Sequence, residues 1–264
     1  MLWNKLKFIT GLDMSRKIIC IITLLCTLLV LGGCSNKIEQ EDVKETKETL
    51  NSNNQSIEKP TIVIDPGHSS VGNFEKEPIA PNSTDLKYKD VIGAKGEYTN
   101  IYENETTVSI GKLLRGILSE KGYNVIMTKH SVKDSISNIE RADIGNKNNA
   151  DLVIRLHADS AEDSSAKGAS VLVPAKNENT EDIYQNSYRY GEKLINNYTK
   201  ELNIYSRGVI ERDNMTGFNW SHVPVILLEM GFLSNKEEDT FISDVSNHEK
   251  IAQSIANGID KCFE

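Results

Sequence analysis

The sequence predicts an α/β fold: a single domain in which a twisted, mostly parallel β-sheet is flanked by helices on both faces. Short apolar segments alternate along the chain with longer segments of helical periodicity, as in sheets whose parallel strands are joined by crossover helices. The strand segments are apolar almost throughout, which indicates a sheet covered on both faces. The chain has 264 residues, 38% of them hydrophobic, and a net charge of −8, which suits one globular domain with appended segments.

Five segments rich in β-branched and apolar residues are predicted as strands. The first, residues 61–64, ends before Pro66 and Gly67, which interrupt a strand because proline has no N–H for the ladder. The other predicted strands follow in chain order at residues 124–128, 152–156, 169–173 and 223–228.

Four segments are predicted as helices. Residues 105–120 carry apolar side chains at intervals of three and four residues, the period of an amphipathic helix. Ser137 begins the second helix, residues 137–149, and Glu140 follows three residues later, which is the pattern of a capping box. The remaining helices are predicted at residues 180–202 and 248–263. The long connection at residues 69–100 is interpreted as the wall of a cleft rather than as disorder.

Residues 1–33 have the pattern of a secretory signal. Arg16 and Lys17 precede an almost unbroken apolar run at residues 18–31, which is short for a membrane span. The run leads into a Leu-Gly-Gly-Cys sequence that ends at Cys34 and is similar to the bacterial lipobox, in which the cysteine receives lipid. We therefore expect lipid on Cys34 to hold the protein at the outer face of the bacterial cell membrane, facing the wall. The alternative is an uncleaved signal anchor.

Residues 34–60 are predicted as a flexible linker between the lipid and a catalytic domain at residues 61–264. Polar and charged residues dominate this segment and its apolar residues are isolated, so that it cannot bury enough surface to fold. Beyond Cys34, the mature chain would retain only Cys262, which excludes an internal disulfide between unmodified cysteines. We interpret Cys262 as a small apolar residue of the last helix.

Three side chains suited to metal binding or proton transfer fall at the ends of predicted strands. His68 follows the first strand, His157 follows the third and Glu229 follows the fifth. In open α/β sheets, ligands bind outside the carboxyl ends of the strands, so these side chains are expected to share one cleft. Glu103 and Glu105 lie at the start of the first helix, which should return to the same edge.

Two histidines and one carboxylate form the ligand set of a catalytic zinc site, with a fourth position left for water. The sequence has no His-Glu-x-x-His helix, which excludes a thermolysin-like arrangement. Each side chain also has a structural interpretation: a histidine in a turn, a hydrogen-bonded histidine in the core, and a capping or ion-paired carboxylate. On residue type and position alone, both interpretations stay open.

Seven motifs occur in a characteristic order: IVIDPGH at 62–68, EPIAP at 77–81, GYNVIMT at 122–128, SNIERA at 137–142, the segment 149–159 that begins with Asn-Ala-Asp and ends with His-Ala-Asp, TGFNWS at 216–221 and VILLEMGFLSN at 225–235. With these motifs, residues 60–263 resemble the zinc-dependent N-acetylmuramoyl-L-alanine amidases of the bacterial autolysin type. Asp-Pro-Gly-His alone is a moderately specific signal, but the full ordered set is highly specific. One departure is Asp159, where the family usually has asparagine.

The resemblance implies an enzyme that hydrolyses the amide bond between N-acetylmuramic acid and L-alanine in peptidoglycan, for wall turnover, lysis, sporulation or germination. It implies that His68, Glu103 and His157 bind one zinc ion per chain and that Glu229 is the catalytic glutamate. Glu103 is preferred to the nearby Glu97 and Glu105 because it keeps the family's distance to the end of the following helix.

Three further positions are candidates for substrate binding. Arg141 matches a common family position and is interpreted either as ion-paired or as a contact for a substrate carboxylate. Asn219 and Trp220 precede the strand that leads to Glu229 and are predicted to line a glycan groove, with packing as the alternative for Trp220.

Peptidoglycan is the expected partner. The acidic chain has no stripe rich in lysine and arginine, which argues against nucleic acid. Two rival functions remain open: a zinc peptidase that cuts within the stem peptide, and a non-catalytic lipoprotein that binds the wall.

Overall fold

Strands and helices alternate along residues 59–264, which are the part of the chain that the computed structural model describes. In chain order the elements are β1 (Thr61–Pro66), β2 (Asn73–Pro78), β3 (Leu86–Asp90), α1 (Glu103–Glu120), β4 (Asn124–Met127), α2 (Asn138–Lys147), β5 (Leu152–Asp159), β6 (Ala169–Pro174), α3 (Glu181–Leu202), β7 (Ser206–Arg212), α4 (Thr216–Asn219), β8 (Val225–Phe232), α5 (Lys236–Ser243) and α6 (Val245–Cys262). The predicted signal, Cys34 and nearly all of the predicted linker lie outside the described residues. Within those residues, no helix is long and apolar enough to cross a membrane.

The central sheet has six strands in the order β4-β1-β5-β8-β6-β7. Strands β4, β1, β5 and β8 are mutually parallel, whereas β6 pairs antiparallel with β8 and parallel with β7. The predicted mostly parallel sheet is therefore confirmed, with a reversed pair at one edge. Strand β7 was not predicted, because its sequence contains two arginines, a serine and a glutamate, as is usual for an exposed edge strand.

Both faces of the sheet are covered, as predicted. Ile62 and Ile64 of β1 point to one face, and Val63 points to the other because side chains alternate along a strand. The larger cluster packs β1, β5 and β8 against four helices. Its helical members include Ile110 and Leu114 of α1, Leu194 and Tyr198 of α3, Ile242 of α5, and Ile251, Ile255 and Ile259 of α6. The smaller cluster contains Val153, Ile183, Phe218, Val225 and Leu227.

Two strands extend beyond their predicted ends, and this changes the setting of two site residues. Strand β5 continues to Asp159 and β8 continues to Phe232. His157 and Glu229 therefore lie inside strands, opposite one another in register, with a β-bulge immediately after His157. At such a bulge the strand bends and its side chains are re-aimed, which is common beside active sites.

The predicted capping box at α2 is present. The Ser137 hydroxyl accepts a hydrogen bond from the Glu140 amide at 3.2 Å, and the Glu140 carboxylate accepts one from the Ser137 amide at 2.8 Å. Cys262 is buried in α6, as predicted. His248 is buried, with ring nitrogens 2.8 Å from the Ser109 hydroxyl and 3.0 Å from the Ile242 carbonyl.

The long connection predicted as a cleft wall contains a β-hairpin. Strands β2 and β3 pair antiparallel as a separate two-stranded sheet, with Lys76 opposite Tyr88 and Glu77 opposite Lys87. Its alternating charged residues give little hydrophobic signal, which explains why no strand was predicted there.

Candidate functional site

The carboxyl ends of β1, β5 and β8 bring three predicted site residues to one edge of the sheet. Strand β5 lies between β1 and β8, and Pro66 pairs with Leu156 at the end of β1. His68 follows two residues later with φ of 57°, a left-handed conformation that reverses the chain above the sheet. The His68 and His157 rings meet edge to face, with centroids 4.8 Å apart.

Glu103, at the first turn of α1, lies between the two imidazoles. Its Oε2 atom is 3.3 Å from His68 Nε2, and its Oε1 atom is 2.9 Å from His157 Nδ1. One donor atom from each of the three residues lies within 4.8 Å of the others. The structure therefore brings together the three residues predicted to bind metal.

Backbone amides fix the Glu103 carboxylate. The Ala158 amide donates to Oε1 at 3.1 Å and the Ala94 amide donates to Oε2 at 3.0 Å. Glu105 has a different role: its side chain is exposed and accepts a hydrogen bond from the Tyr102 amide in the capping box of α1. The nearby glutamate that reaches the histidines is thus Glu103, as predicted.

Two glycines leave space for this cluster. A Cβ atom on Gly67 would collide with the imidazole of His157, and one on Gly93 would lie 2.8 Å from both the Glu103 carboxylate and the His68 ring. Gly93 also has φ of 86°, a conformation that other residues rarely adopt. The backbone therefore approaches the three side chains more closely than any larger residue would permit.

The hydrogen bonds indicate the protonation pattern of the histidines. His68 Nδ1 lies 2.9 Å from the Val91 carbonyl, which can only accept, so this nitrogen carries a hydrogen. In the part of the chain that the structure describes, buried His157 Nε2 has no hydrogen-bond partner. An unpaired imidazole nitrogen beside an anionic carboxylate suits a cation, and two histidines with one carboxylate fit zinc.

Burial and hydrogen bonding shift the pKa values of this cluster in different directions. Burial alone would raise the pKa of Glu103, but hydrogen bonds from His157 and His68 outweigh it and hold that pKa well below its usual range. Burial lowers the pKa of His157 to about 4. Glu103 is therefore ionised and His157 neutral near pH 7, which are the forms that bind a metal.

Glu229 has the opposite pKa shift. Burial, followed by the negative charges of Glu103 and Asp159, raises the pKa of its carboxyl group well above the usual range. Its Oε2 atom has no hydrogen-bond partner among residues 59–264. A carboxylate with raised pKa holds a proton more readily, as a proton acceptor near neutral pH requires.

A buried ion-pair network holds the end of β1 in place. Asp65 accepts hydrogen bonds from Arg141 at 2.6 Å, from Arg155 at 2.8 Å and from the Thr128 hydroxyl at 2.6 Å. Arg141 also donates to the Pro66 carbonyl at 2.9 Å, and its side chain is 3% exposed. The structure thus favours the ion-paired interpretation of Arg141 over the substrate contact, because its guanidinium is buried against the protein.

A cleft of about 500 Å³ opens beside the histidines. The hairpin forms one wall of it, which confirms the interpretation of this segment as a cleft wall. The lining residues are His68, Lys76, Leu86, Lys87, Tyr88, Val91, Asn138, Arg155, His157 and Met215. The hairpin residues of this wall were missed from the sequence, although the alternating Lys-Tyr-Lys pattern of β3 is typical of a half-exposed strand.

The predicted groove residues Asn219 and Trp220 do not line this cleft. The Asn219 amide donates to the Ile79 carbonyl at 3.1 Å, and the Trp220 indole donates to the Pro78 carbonyl at 3.1 Å. Asn219 is only 2% exposed. Both side chains therefore fasten the hairpin to the domain. For Asn219 the predicted groove role is corrected, because its side chain is buried and bonded to the protein itself, and for Trp220 the contact favours the packing alternative.

Comparison with known proteins agrees with this geometry. The sequence model of the N-acetylmuramoyl-L-alanine amidase family matches residues 62–261. The chain belongs to this family. A curated relative, the probable cell wall amidase LytH of Staphylococcus aureus, is 25% identical over 203 residues, which make up 77% of this chain and 58% of LytH. The chain thus spans less than two thirds of the length of that amidase relative.

Solved amidase structures have the same fold. The apo form of Ami1 from Mycobacterium abscessus aligns with a TM-score of 0.71 at 20% identity and covers 78% of this chain and 99% of its own. The amidase from Clostridium difficile 630 aligns with a TM-score of 0.63 at 22% identity. The alignment covers 78% of this chain and 97% of the Clostridium difficile chain. At these identities the likeness establishes the amidase fold.

The Asp65 network predicts a pH-dependent loss of stability in Asp65→Asn. Burial alone would raise the pKa of Asp65, but Arg141 and Arg155 outweigh it and hold that pKa well below its usual range. At pH 7 the variant should lose about 3–5 kcal/mol, because two buried arginines lose their counter-charge. The ionised carboxylate stabilises the fold above its unfolded pKa of about 3.9, so the difference from the native chain should narrow as the pH falls below that value.

Urea denaturation of both proteins at several pH values measures this difference. Asp143→Asn is a matched control, because Asp143 pairs with Lys147 on the surface of α2 and its loss should cost less than about 1 kcal/mol. Equal stabilities of Asp65→Asn and the native chain at pH 7 would contradict the prediction.

Proposed function

We propose that this protein hydrolyses the amide bond between N-acetylmuramic acid and L-alanine in peptidoglycan. One observation carries the proposal: buried Glu103 lies between His68 and His157, and Glu229 faces His157 from the neighbouring strand. The family match supports this substrate, and the name of LytH, a probable cell wall amidase, agrees with it. The three clustered residues would hold one zinc ion, and Glu229 would transfer the proton.

The proposed reaction is an amide hydrolysis. When bound, zinc supplies a Lewis acid that polarises a carbonyl and lowers the pKa of a coordinated water to about 7. The Glu229 carboxylate accepts a proton from the attacking water and then donates it to the departing amine of L-alanine. The rigid pairing of β5 with β8 holds Glu229 beside His157, so its carboxylate is positioned before the substrate arrives.

Features of the cleft disfavour both rival functions. A peptidase that holds a substrate carboxylate with Arg141 or Arg155 is disfavoured, because both arginines are bound to Asp65. A scaffold that only binds the wall has no need for Glu229, whose buried Oε2 atom has no hydrogen-bond partner in the described part of the chain, at a cost in stability.

We further propose that the domain at residues 61–264 is tethered to the outer face of the cell membrane by lipid on Cys34. The Leu-Gly-Gly-Cys sequence after the apolar run supports this location. As a flexible coil, the linker at residues 34–60 would span roughly 25–30 Å, which allows the domain to reach wall close to the membrane.

Zinc binding should depend on Glu103 and not on Glu105. Mutation of a residue that is hydrogen-bonded to a metal ligand typically lowers metal affinity about 10–100-fold. Glu103 is proposed to bind the metal directly, so Glu103→Ala should weaken zinc affinity by more than this. Glu105→Ala is the matched control from the same helical turn, with an exposed side chain. Metal analysis of the two purified variants after dialysis against a competing chelator measures this. Equal zinc retention in Glu103→Ala and the native chain would contradict the assignment.

Glu229→Gln should fold and retain zinc but lose about 10²–10⁴ in turnover, the usual contribution of a general acid–base group. Because burial disfavours the ionised carboxylate, the neutral amide should melt at or above the native temperature. The measurements are thermal melting and the release of stem peptide with a new amino-terminal alanine. Glu120→Gln, a change at an exposed glutamate of α1, is the control. A Glu229→Gln variant that cleaves at a native rate would contradict the catalytic role.

Cys34→Ala should release the protein from the membrane. Stable anchoring requires more than one acyl chain, so removal of the modified thiol should shift the full chain from the membrane fraction to the soluble one and abolish fatty-acid labelling. Cys262→Ala, at the buried cysteine of α6, should keep both properties. Absence of label on the native chain would contradict the lipoprotein assignment.

A further inference from the structure

Buried hydrogen bonds hold the peptide bond that joins Gly67 to His68. The Gly67 carbonyl accepts a hydrogen bond from the Lys129 ammonium group at 3.2 Å, and it lies 3.2 Å from the Thr107 hydroxyl. The Gly67 amide donates to the Leu156 carbonyl at 2.9 Å. Strand β5, helix α1 and the segment that follows β4 therefore all contact the residue that precedes His68.

The backbone conformation of His68 needs such support. Its φ of 57° is left-handed, which is unfavourable for residues other than glycine and persists only where surrounding contacts enforce it. The φ angle of His68 describes rotation relative to the peptide unit that contains the Gly67 carbonyl. Contacts that fix this carbonyl therefore also fix the direction in which the His68 side chain leaves the backbone.

His68 depends on its backbone more than the other two proposed metal ligands do. Its side chain is 19% exposed, compared with 11% for His157 and 4% for Glu103. Two backbone amides fix the Glu103 carboxylate, whereas the His68 ring has one contact of this kind, at the Val91 carbonyl. Gly67 also packs so closely on His157 that a Cβ atom would collide with its ring. A shift of the Gly67–His68 peptide would therefore disturb both histidines.

The Lys129 ammonium group is buried at a cost that packing alone does not explain. Lys129 is 1% exposed, and among residues 59–264 no carboxylate lies within 4 Å of its ammonium group. Burial lowers the pKa of Lys129 to about 8, so the group is mostly charged near pH 7 and donates a charge-assisted hydrogen bond to the Gly67 carbonyl. An apolar side chain of similar length would fill the same space without the desolvation cost.

We propose that Lys129, assisted by Thr107, is a positioning residue for His68: by fixing the Gly67 carbonyl, it sets the direction from which the His68 imidazole reaches the metal. The inference rests on the proposed function for the zinc ion that His68 would bind. It assigns control of metal affinity to two buried residues that do not belong to the ligand set.

Zinc affinity, measured in the full chain by competition with a chelator, tests this role. Lys129→Met removes the ammonium group and nearly keeps the length of the side chain. It should weaken zinc binding about 10–100-fold, the usual effect of losing a group that orients a ligand. The metal-free variant should melt at or above the native temperature, because a desolvated charge is removed. A lower melting temperature with native zinc affinity would show a purely structural lysine and overturn the proposal.

Two neighbouring threonines of α1 decide the question if Lys129→Met does not fold. Thr107→Val removes the other donor near the Gly67 carbonyl and should weaken zinc binding about 10-fold, whereas Thr107→Ser keeps the hydroxyl and should retain native affinity. Thr106→Val is the matched control, because Thr106 is 1% exposed and its hydroxyl has no hydrogen-bond partner within residues 59–264. Native zinc affinity in Thr107→Val, or an equal loss in both valine variants, would then overturn the proposal.

Turnover of the zinc-saturated native chain separates this inference from the proposed function. If zinc binding follows the expected order among the variants but the native chain releases no stem peptide, the proposed reaction is overturned while the positioning role is supported. A native chain that binds no zinc would overturn the proposed metal site and the positioning role together.

Discussion

The ionised carboxylate of Glu103 is buried, and much of the domain's local architecture compensates for that charge. Desolvation of a carboxylate is costly, and the cost is offset by two backbone amides and two imidazoles within hydrogen-bonding distance. These partners come from β5 and from the segments that follow β1 and β3, which explains why the site requires close approach of the backbone at Gly67 and Gly93. A cation between the three side chains would complete the compensation.

A second buried carboxylate, Asp65, organises the layer beneath the first. Its two arginines come from α2 and β5, so a single anion ties a helix and two strands together at the point where His68 leaves the sheet. The two layers have separate tasks, because the Asp65 carboxylate is saturated by protein partners, whereas His157 Nε2 of the Glu103 cluster has no hydrogen-bond partner among residues 59–264. This difference distinguishes a structural charge network from a site for a ligand.

The sequence predicted the sheet and the residues at its carboxyl edge because both follow from local signals. Apolar strands ending at His68, His157 and Glu229 are visible in the chain, and parallel topology brings such ends together. The choice of Glu103 over Glu105 depended on family resemblance, since residue type and spacing do not show which glutamate is buried. The contacts of Asn219 and Trp220 with the hairpin join residues about 140 positions apart, and no local pattern reveals such a pairing. Strands β2, β3 and β7 were not predicted, because their sequences are polar and lack the apolar runs that identified the other strands.

The position of His157 and Glu229 within the two most heavily paired strands has a consequence for motion. Strands β5 and β8 are flanked on both sides by other strands, and amide hydrogens in such positions exchange with solvent mainly when the whole domain unfolds. The hairpin is a separate two-stranded sheet that side-chain hydrogen bonds, such as those of Asn219 and Trp220, fasten to the domain, and elements of this size open locally at lower free energy. The cleft therefore has a floor that keeps its geometry until the domain unfolds and a wall whose opening breaks only those local bonds.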